Sequence, residues 1–447
     1  MLSSVITRLV GWAAARFYYL DVRGARIPRG PVLVVANHPN ALLDPLIIFR
    51  VAGRVVRPLA KEPLFHHPLI GPVLKALGGL PVYRKQDHPD LMHQNEQTFA
   101  AAVAALHAGD AVQIYPEGQS HSEARVNPLK TGAARIALRA EQEASWQLGL
   151  HITPVGLTYA RKSFFRGRAV AMIGDSFDVA AFRDAHDSDP TAAVQQLTAH
   201  IAQQLAALTL VLTNTEDAVL IDTAERLYAR EKGLATWREA EGLGTRLPRM
   251  QAFARGLAWL RTHEPARHAR LARLVRRYHQ QAELLGAREG DVPPKYGFRG
   301  VAWYVTREAV MLAVGLPLAL LALPVWYPPY ALNRAIVQRL HVDETGMATY
   351  KLGLAIVLMP LTWLIWVAVG WLWRGPRVAL GLAVLLPMLG LVLQQWSGRW
   401  EKVKQDSALF LRVVVRPGIG DRLAQQRREL VREFEEVQAY SAAHEAG

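Results

Sequence analysis

Short apolar runs alternate with longer amphipathic runs along the first 180 residues. Residues 31–36 (PVLVVA) are apolar at successive positions, which is typical of a strand buried on both faces of a sheet. Similar runs occur at residues 80–83, 111–115, 152–159 and 169–173, and helical patterns lie between them at residues 91–107 and 130–147. Strands that alternate with helices predict an α/β fold, in which a mixed sheet is flanked by helices.

The pattern becomes helical throughout residues 190–285, where Ala, Leu, Gln and Arg dominate. Arg267, Arg270, Arg273 and Arg277 fall toward one side of a helix there, which predicts either a solvated basic face or a strip against anionic lipid headgroups. The first 20 residues place most of their apolar side chains near one helical face. This pattern favours a helix lying in a membrane interface, or an ordinary helix docked on the α/β domain.

Three uncharged apolar runs follow, at residues 309–333, 352–373 and 378–398. Each is about 20 residues or longer, the length that crosses a hydrocarbon core of about 30 Å. Four prolines interrupt the first run, so a buried core helix is the alternative for that segment. After the last run, a charged tail reads as an amphipathic helix from residue 423 to residue 440.

The segments together predict five regions. They are an interfacial helix (1–20), an α/β domain (21–185), a helical segment (186–300), a membrane region with two or three hydrophobic segments (301–398) and a charged helical tail (399–447).

Composition narrows the possible functions. The chain has 447 residues, a net charge of +14 and no cysteine. The absence of cysteine excludes disulfides, thiolate metal sites and a cysteine nucleophile. The basic balance fits a nucleic acid or an anionic membrane surface, and the long apolar runs favour the membrane.

The first group with chemical potential follows a buried strand directly. Residues 37–45 (NHPNALLDP) place His38 at the carboxyl end of that strand and Asp44 shortly after it. Ligand sites of open α/β sheets lie at this edge. A histidine with a nearby carboxylate can act as a general base, although such a pair in a turn is often structural.

Two further motifs end in candidate anion-binding groups. Residues 78–84 (GGLPVYR) predict a short strand with Arg84 at its end, where a guanidinium could grip a phosphate or form a surface ion pair. Residues 115–121 (YPEGQSH) end another strand at a glycine, and Lys130 then precedes the next helix. A cation and helix amides could hold an anion together there.

These motifs, with a later proline-containing strand at residues 152–157, resemble the glycerolipid acyltransferase family, which includes lysophosphatidate and glycerol-3-phosphate acyltransferases. The resemblance covers about residues 20–175. It implies that His38 is the general base and that Asp44 orients it. It also implies substrate binding by Arg84, Glu117, Gly118, Ser120 and Lys130.

The sequence departs from the usual family pattern in two places. Five residues separate His38 from Asp44, where most members have four, and positions six apart on a helix are about 240° out of register. His38 must therefore lie in the turn that precedes the helix of Asp44. Fungal glycerol-3-phosphate acyltransferases resemble this chain in that gap. Gln119 and Ser120 replace the Thr-Arg of typical lysophosphatidate enzymes, which leaves the acceptor open.

The resemblance implies a membrane-bound O-acyltransferase of phospholipid synthesis. It would move an acyl group from acyl-CoA or acyl carrier protein, as co-substrate, to lysophosphatidate or glycerol 3-phosphate, without a cofactor, a metal or a nucleic-acid partner. One alternative is a catalytically silent lipid-binding membrane protein on the same fold. Another is a lysophospholipid acyltransferase for remodelling.

The membrane topology follows from charge. With a cytoplasmic catalytic domain, three full spans would place most flanking Arg and Lys residues outside, against the positive-inside tendency. We therefore favour two spans, over residues 352–373 and 378–394, with the proline-containing run dipping in or lying in the interface. Single cysteines at Gly346, Gly375 and Ser407 would report the side of each loop.

Overall fold

A computed structural model describes residues 2–445, except 69, 85–88, 121–126, 161–166, 211, 213–216, 235–241, 286–297, 341–343 and 416–417. The strands are β1 (Tyr18–Gly24), β2 (Val32–Ala36), β3 (Val56–Lys61), β4 (Leu80–Val82), β5 (Ala111–Ile114), β6 (His151–Ala160), β7 (Gly167–Ile173) and β8 (Phe177–Asp178). The helices are α1 (Leu2–Phe17), α2 (Leu43–Ala52), α3 (Ile70–Ala76), α4 (Asn95–His107), α5 (Gly132–Glu143), α6 (Arg183–Ser188), α7 (Pro190–Leu208), α8 (Asp217–Glu231), α9 (Leu243–His263), α10 (Pro265–Leu284), α11 (Phe298–Arg339), α12 (Glu344–Arg374), α13 (Pro376–Val414) and α14 (Ile419–Glu445).

The strands form one mixed sheet in the order β1-β7-β6-β2-β5-β3-β4, and β8 pairs with β6. The five strands β6, β2, β5, β3 and β4 are parallel to one another, whereas β7 is antiparallel to β6 and parallel to β1. All five predicted strands are present, and the mixed α/β fold is confirmed. The sequence pattern did not predict β1, β3 or β8.

β2 is central and buried on both faces, as its apolar run predicts. Leu33 and Val35 face a core that they share with α4, α5 and α7. Val32 and Val34 point to the opposite face and are also fully buried.

α7 extends the α/β unit beyond the predicted boundary at residue 185. Its residues Ala193, Leu197, Ile201 and Leu205 pack in the same core as β2, α4 and α5. The compact unit accordingly comprises Met1–Thr215, Gly242–Gln251 and Asp343–Thr349. The hydrophobic pattern of α7 does not reveal that this helix packs on the sheet. The sequence therefore assigned α7 to the helical segment that follows.

α1 packs on α2 at a small-residue face. An ideal Cβ at Gly11 would lie 3.1 Å from the Cα of Arg50, so a side chain there would require the two helices to move slightly apart. Val5, Leu9 and Trp12 lie on the exposed surface of the helix. One side of α1 is thus docked, as in the second alternative left by the sequence. Another side presents an exposed apolar face, as a helix in a membrane interface would.

A second compact unit contains most of the remaining helices (Glu216–Glu241, Ala252–Val342 and Tyr350–Gly447). Within it, the tail helix α14 packs against α8 and α10. Leu423, Leu430 and Phe434 share an apolar core with Leu227 and Val275. The tail was predicted as an amphipathic helix, and the structure confirms that helix.

Ion pairs reinforce the packing of α14. Arg427, almost fully buried, donates to Glu231 at 2.8 Å. Arg267 of α10 donates to Glu433 and Glu436, so part of the predicted basic face is neutralised by the tail. Arg273 remains exposed. The predicted linker at residues 290–297 lies outside the described residues.

Within the part of the chain that the structure describes, three helices are long and apolar enough to cross a membrane: Val301–Arg339, Tyr350–Arg374 and Pro376–Val413. The prediction of a membrane region is therefore confirmed. The four prolines of the first run lie within a single long helix, α11.

α11 and α13 run antiparallel. Tyr304 donates to Asp406, Arg399 donates to Glu308 at 2.7 Å, and Trp326 donates to the carbonyl of Leu386. Residue numbers therefore rise along α11 while they fall along α13. α12 and α13 form a hairpin, in which Trp363 of α12 donates to the carbonyl of Ala383.

Candidate active site

The candidate residues come together at one edge of the sheet. β2, β3, β4 and β5 are mutually parallel, so their carboxyl ends lie along the same edge. His38 follows β2, Glu117 follows β5 and Arg84 follows β4. The topology thus brings motifs that are up to 79 residues apart in sequence to a common surface.

His38 and Asp44 form a direct hydrogen bond. His38 Nδ1 lies 2.8 Å from Asp44 Oδ2, and the Asp44 side chain is fully buried. α2 begins at Leu43, so Asp44 is in its first turn and His38 is in the preceding turn. The structure therefore places the pair as the spacing of six residues predicts. The extra residue is accommodated in a turn where Ala41 has a φ of 34°.

The other partners of Asp44 fix its role as an acceptor. Oδ2 also accepts the backbone N–H of Asn40 at 2.7 Å, and Oδ1 accepts the hydroxyl of Tyr159 at 2.5 Å. With three donors around it, the carboxylate favours the tautomer in which His38 Nδ1 carries the proton. The lone pair then lies on Nε2, the nitrogen that a general base uses.

Tyrosine side chains enclose the pair. The ring of Tyr115 stacks on His38, with centroids 4.0 Å apart and planes inclined by 14°. Tyr18 packs against Tyr159, and its hydroxyl accepts from the Asn40 amide at 2.7 Å. These contacts restrict the imidazole on one face and support the turn beneath it.

Burial keeps these phenols neutral. It raises the pKa of Tyr159 well above the usual 10, and the negative charge of Asp44 raises that pKa further. Burial and Asp44 likewise raise the pKa of Tyr115. Burial is also the main cause of the raised pKa of Tyr18. Tyr159 therefore remains a hydrogen-bond donor throughout the physiological pH range.

Glu117 connects two turns of the site. Its side chain is buried; Oε1 accepts the backbone N–H of His38 and Oε2 accepts that of Asn127, both at 2.9 Å. The structure thus gives this carboxylate a supporting contact to His38. The sequence-based expectation of a contact to the acceptor substrate stays a prediction.

Gly118 and Lys130 lie against each other. Gly118 has a φ of +73°, and an ideal Cβ there would lie 2.6 Å from Lys130 Nζ. The Lys130 N–H donates to the carbonyl of Pro116 at 2.8 Å, two residues before α5 begins. The glycine therefore provides the space in which the ammonium group lies beside the turn.

Arg84 and Ser120 lie at the same edge but at different distances from the pair. Ser120 is in the turn after β5, the immediate neighbour of β2. Arg84 follows β4, three strand positions from β2, which is about 14 Å at the usual strand spacing. A substrate that contacts both His38 and Arg84 would have to extend along this edge.

Among the described residues, no group of three or more His, Asp or Glu side chains is arranged to hold a metal ion. The sequence also gives no metal-ligand spacing around His66 and His67. The described groups at this edge include an oriented imidazole, a buried carboxylate and nearby cations.

Tyr159, Tyr18 and Asn40 are contacts that the sequence analysis did not identify. Tyr159 is 115 residues from Asp44, and the two meet only because β6 pairs with β2 in a parallel register. Position at the carboxyl end of a strand is the one sequence signal that could have drawn attention to Tyr159.

Comparison with known proteins finds similarity to acyltransferases. A family model described as acyltransferase matches residues 20–158. The chain is 25% identical over 287 residues to glycerol-3-phosphate O-acyltransferase 2 of Saccharomyces cerevisiae. The matched region is 60% of this chain and 37% of that protein. It is 30% identical over 122 residues to glycerol-3-phosphate O-acyltransferase 1 of the same yeast. That matched region is 27% of this chain and 16% of the yeast protein. These matches thus span well under half the length of each yeast protein.

The crystal structure of the 1-acyl-sn-glycerophosphate acyltransferase from Thermotoga maritima is also similar, with a TM-score of 0.33 and 20% identity. The match covers 44% of this chain and 80% of that chain.

Proposed function

We propose, from the premise that residues 20–158 form a domain of the acyltransferase family, that this chain transfers a fatty acyl group to a glycerol hydroxyl of glycerol 3-phosphate or lysophosphatidate. The donor would be acyl-CoA or acyl carrier protein. The observation that carries this proposal is the hydrogen bond from His38 to the buried Asp44 at the carboxyl edge of the sheet.

The reaction we propose needs no covalent enzyme intermediate. His38 Nε2 removes the proton from the acceptor hydroxyl as its oxygen attacks the thioester carbonyl carbon. The C–S bond then breaks, an ester forms, and the thiolate takes the proton from the imidazolium. Asp44 stabilises the positive charge that His38 carries between these steps.

Cations along the sheet edge support a phosphorylated acceptor. Lys130 lies beside Gly118 near the pair, and Arg84 lies farther along the edge. In our proposal they neutralise the acceptor phosphate and orient the glycerol hydroxyl toward His38.

The test is an acyl-transfer assay with purified full-length protein in lipid nanodiscs. Glycerol 3-phosphate, lysophosphatidate and lysophosphatidylcholine are offered in turn, with acyl-CoA or acyl carrier protein as donor. Ester formation on one of the first two supports the proposal. Transfer to lysophosphatidylcholine alone would favour a remodelling enzyme, and ester formation with none of the acceptors would overturn acyl transfer.

We also propose that the catalytic domain faces the cytoplasm, where these thioester donors are found. The packing of α14 supports an even number of membrane crossings. α14 follows α13, the last apolar helix, yet it shares a core with α8 and α10, which precede α11. Charged helices that share an apolar core outside the membrane lie on one side of it, which supports a return of the chain to the side from which it entered.

The charges indicate which helices make the two crossings. If α12 and α13 cross, then Arg334, Arg339 and Lys351 lie with the cytoplasmic tail, and only Arg374 and Arg377 lie on the far side. This distribution agrees with the positive-inside tendency. α11 would then enter beside α13 without completing a crossing.

Single cysteines test the topology because the chain has none of its own. Arg377 is exposed beside the α12–α13 turn. A cysteine at this position avoids the backbone strain that a side chain would cause at Gly375, where φ is +84°. Arg377→Cys should react with an impermeant maleimide from outside, whereas Ser407→Cys and Gly346→Cys should react only after lysis. Labelling of Ser407→Cys from outside would contradict the two-crossing proposal. Labelling of Gly346→Cys would show that α11 crosses and that α12 does not.

A further inference from the structure

We propose that Tyr159 is a positioning residue that sets the basicity of the His38–Asp44 pair through its hydrogen bond to Asp44. This inference rests on the proposed function of the pair as a general base. Tyr159 is the last but one residue of β6, and it lies just beyond the part of the chain that matches the family model.

The geometry separates the two oxygens of Asp44. Oδ2 faces His38 Nδ1 and the Asn40 N–H, whereas Oδ1 faces only the Tyr159 hydroxyl among the described residues. Tyr159 therefore fixes the rotation of the carboxylate, so that Oδ2 stays in line with the imidazole. An oxygen at 2.5 Å from a neutral phenol also shares some of its negative charge with that donor.

Tyr159 is itself held by its surroundings. Its ring packs on Tyr18 with centroids 5.2 Å apart, and Tyr18 is buried. Asn40 then links the Tyr18 hydroxyl to the turn that carries His38. The phenol is therefore positioned by strands β6 and β1 and not by the helix whose Asp44 carboxylate it orients.

Any titratable group that faces the His38–Asp44 pair can contribute to the pH dependence of its activity. These groups are Tyr159 on β6, Tyr18 on β1, and Tyr115 and Glu117 after β5. The burial of the three phenols keeps them neutral well above pH 7, and Glu117 accepts two backbone N–H groups. Changing Tyr159 therefore alters the charge density at Asp44 without changing the net charge of its neighbours.

The perturbation is Tyr159→Phe, which removes one hydroxyl and keeps the ring. Without that donor, Asp44 carries more negative charge toward His38 and favours the protonated imidazole. In the pH profile of kcat, the acidic limb should then move to higher pH by about half a unit or more. The maximal kcat should fall on the order of tenfold. Replacement of Tyr159 by 3-fluorotyrosine strengthens the donor and should move the limb to lower pH.

Tyr19→Phe is the matched control, since that ring is largely exposed on β1. It should leave both the limb and kcat unchanged. A Tyr159→Phe enzyme with an unshifted limb would overturn the positioning role, whether or not its kcat falls, because a merely structural loss lowers activity at every pH. Absence of transfer by the unsubstituted chain would instead overturn the proposed function itself.

Discussion

The substitution Asp44→Asn removes the negative charge beside His38 while it keeps the shape of the side chain. The amide oxygen can take the place of Oδ2 and accept from His38 and from the Asn40 N–H. The amide nitrogen then faces the Tyr159 hydroxyl, which can accept a hydrogen bond after it rotates. The variant should therefore fold.

The structure sets the size of the expected effect. Unit charges at 2.8 Å interact by about 6 kcal/mol at an effective dielectric of about 20, which is an upper bound for the imidazolium and Asp44. A charge-assisted hydrogen bond contributes a net 1.5–3 kcal/mol, roughly. A loss of about 4 kcal/mol of transition-state stabilisation lies between these values. Such a loss lowers kcat roughly a thousandfold.

Release of free CoA is a clean readout for this experiment. A thiol reagent detects only the released CoA, because the chain contains no cysteine. Purified Asp44→Asn is compared with the unsubstituted chain at saturating acceptor, and thermal unfolding checks that both are folded. A folded Asp44→Asn enzyme with kcat within tenfold of the unsubstituted chain would refute the role assigned to the carboxylate.

Three other perturbations test the surroundings of the pair. Gly118→Ala imposes a side chain at a φ of +73° and displaces Lys130, so we expect a raised KM for the phosphorylated acceptor and a stability loss of about 1 kcal/mol or more; an unchanged KM would contradict the role of Lys130. Arg84→Ala should raise that KM about tenfold and Arg84→Lys less, and equal KM values for all three chains would exclude a phosphate contact. Tyr115→Phe should lessen the loss of thermal stability between pH 9 and 11, because the raised pKa of this phenol makes the folded state lose stability as pH rises past about 10; identical melting curves for both chains across that range would contradict the burial of the hydroxyl.

The sequence could predict the strands that are buried on both faces, because their apolar runs reflect that burial. β2, for example, is fully buried along its length. β1 and β3 were missed since β1 is partly exposed and contains Asp21 and Arg23, while β3 contains Arg57 and Pro58. Strands of this kind are stabilised by pairing with a neighbour, which leaves no periodic pattern in the sequence.

The candidate site divides in the same way. The six-residue separation of His38 and Asp44 was enough to place one in a turn and the other on a helix, because that argument uses only local geometry. The bond from Tyr159 and the contact of Glu117 with the His38 N–H depend on which strands are neighbours. Such contacts follow from topology, and one sequence does not determine the strand order.

The most direct test of the central claim is acyl transfer by His38→Ala. The variant and the unsubstituted chain are assayed in nanodiscs with acyl-CoA and the preferred acceptor, and His263→Ala serves as a control with an exposed histidine on α9. We expect His38→Ala to lose kcat by a thousandfold or more, on the order expected for removal of a general base, and His263→Ala to keep its activity. Ester formation by folded His38→Ala at the rate of the unsubstituted chain would contradict a general-base role for His38.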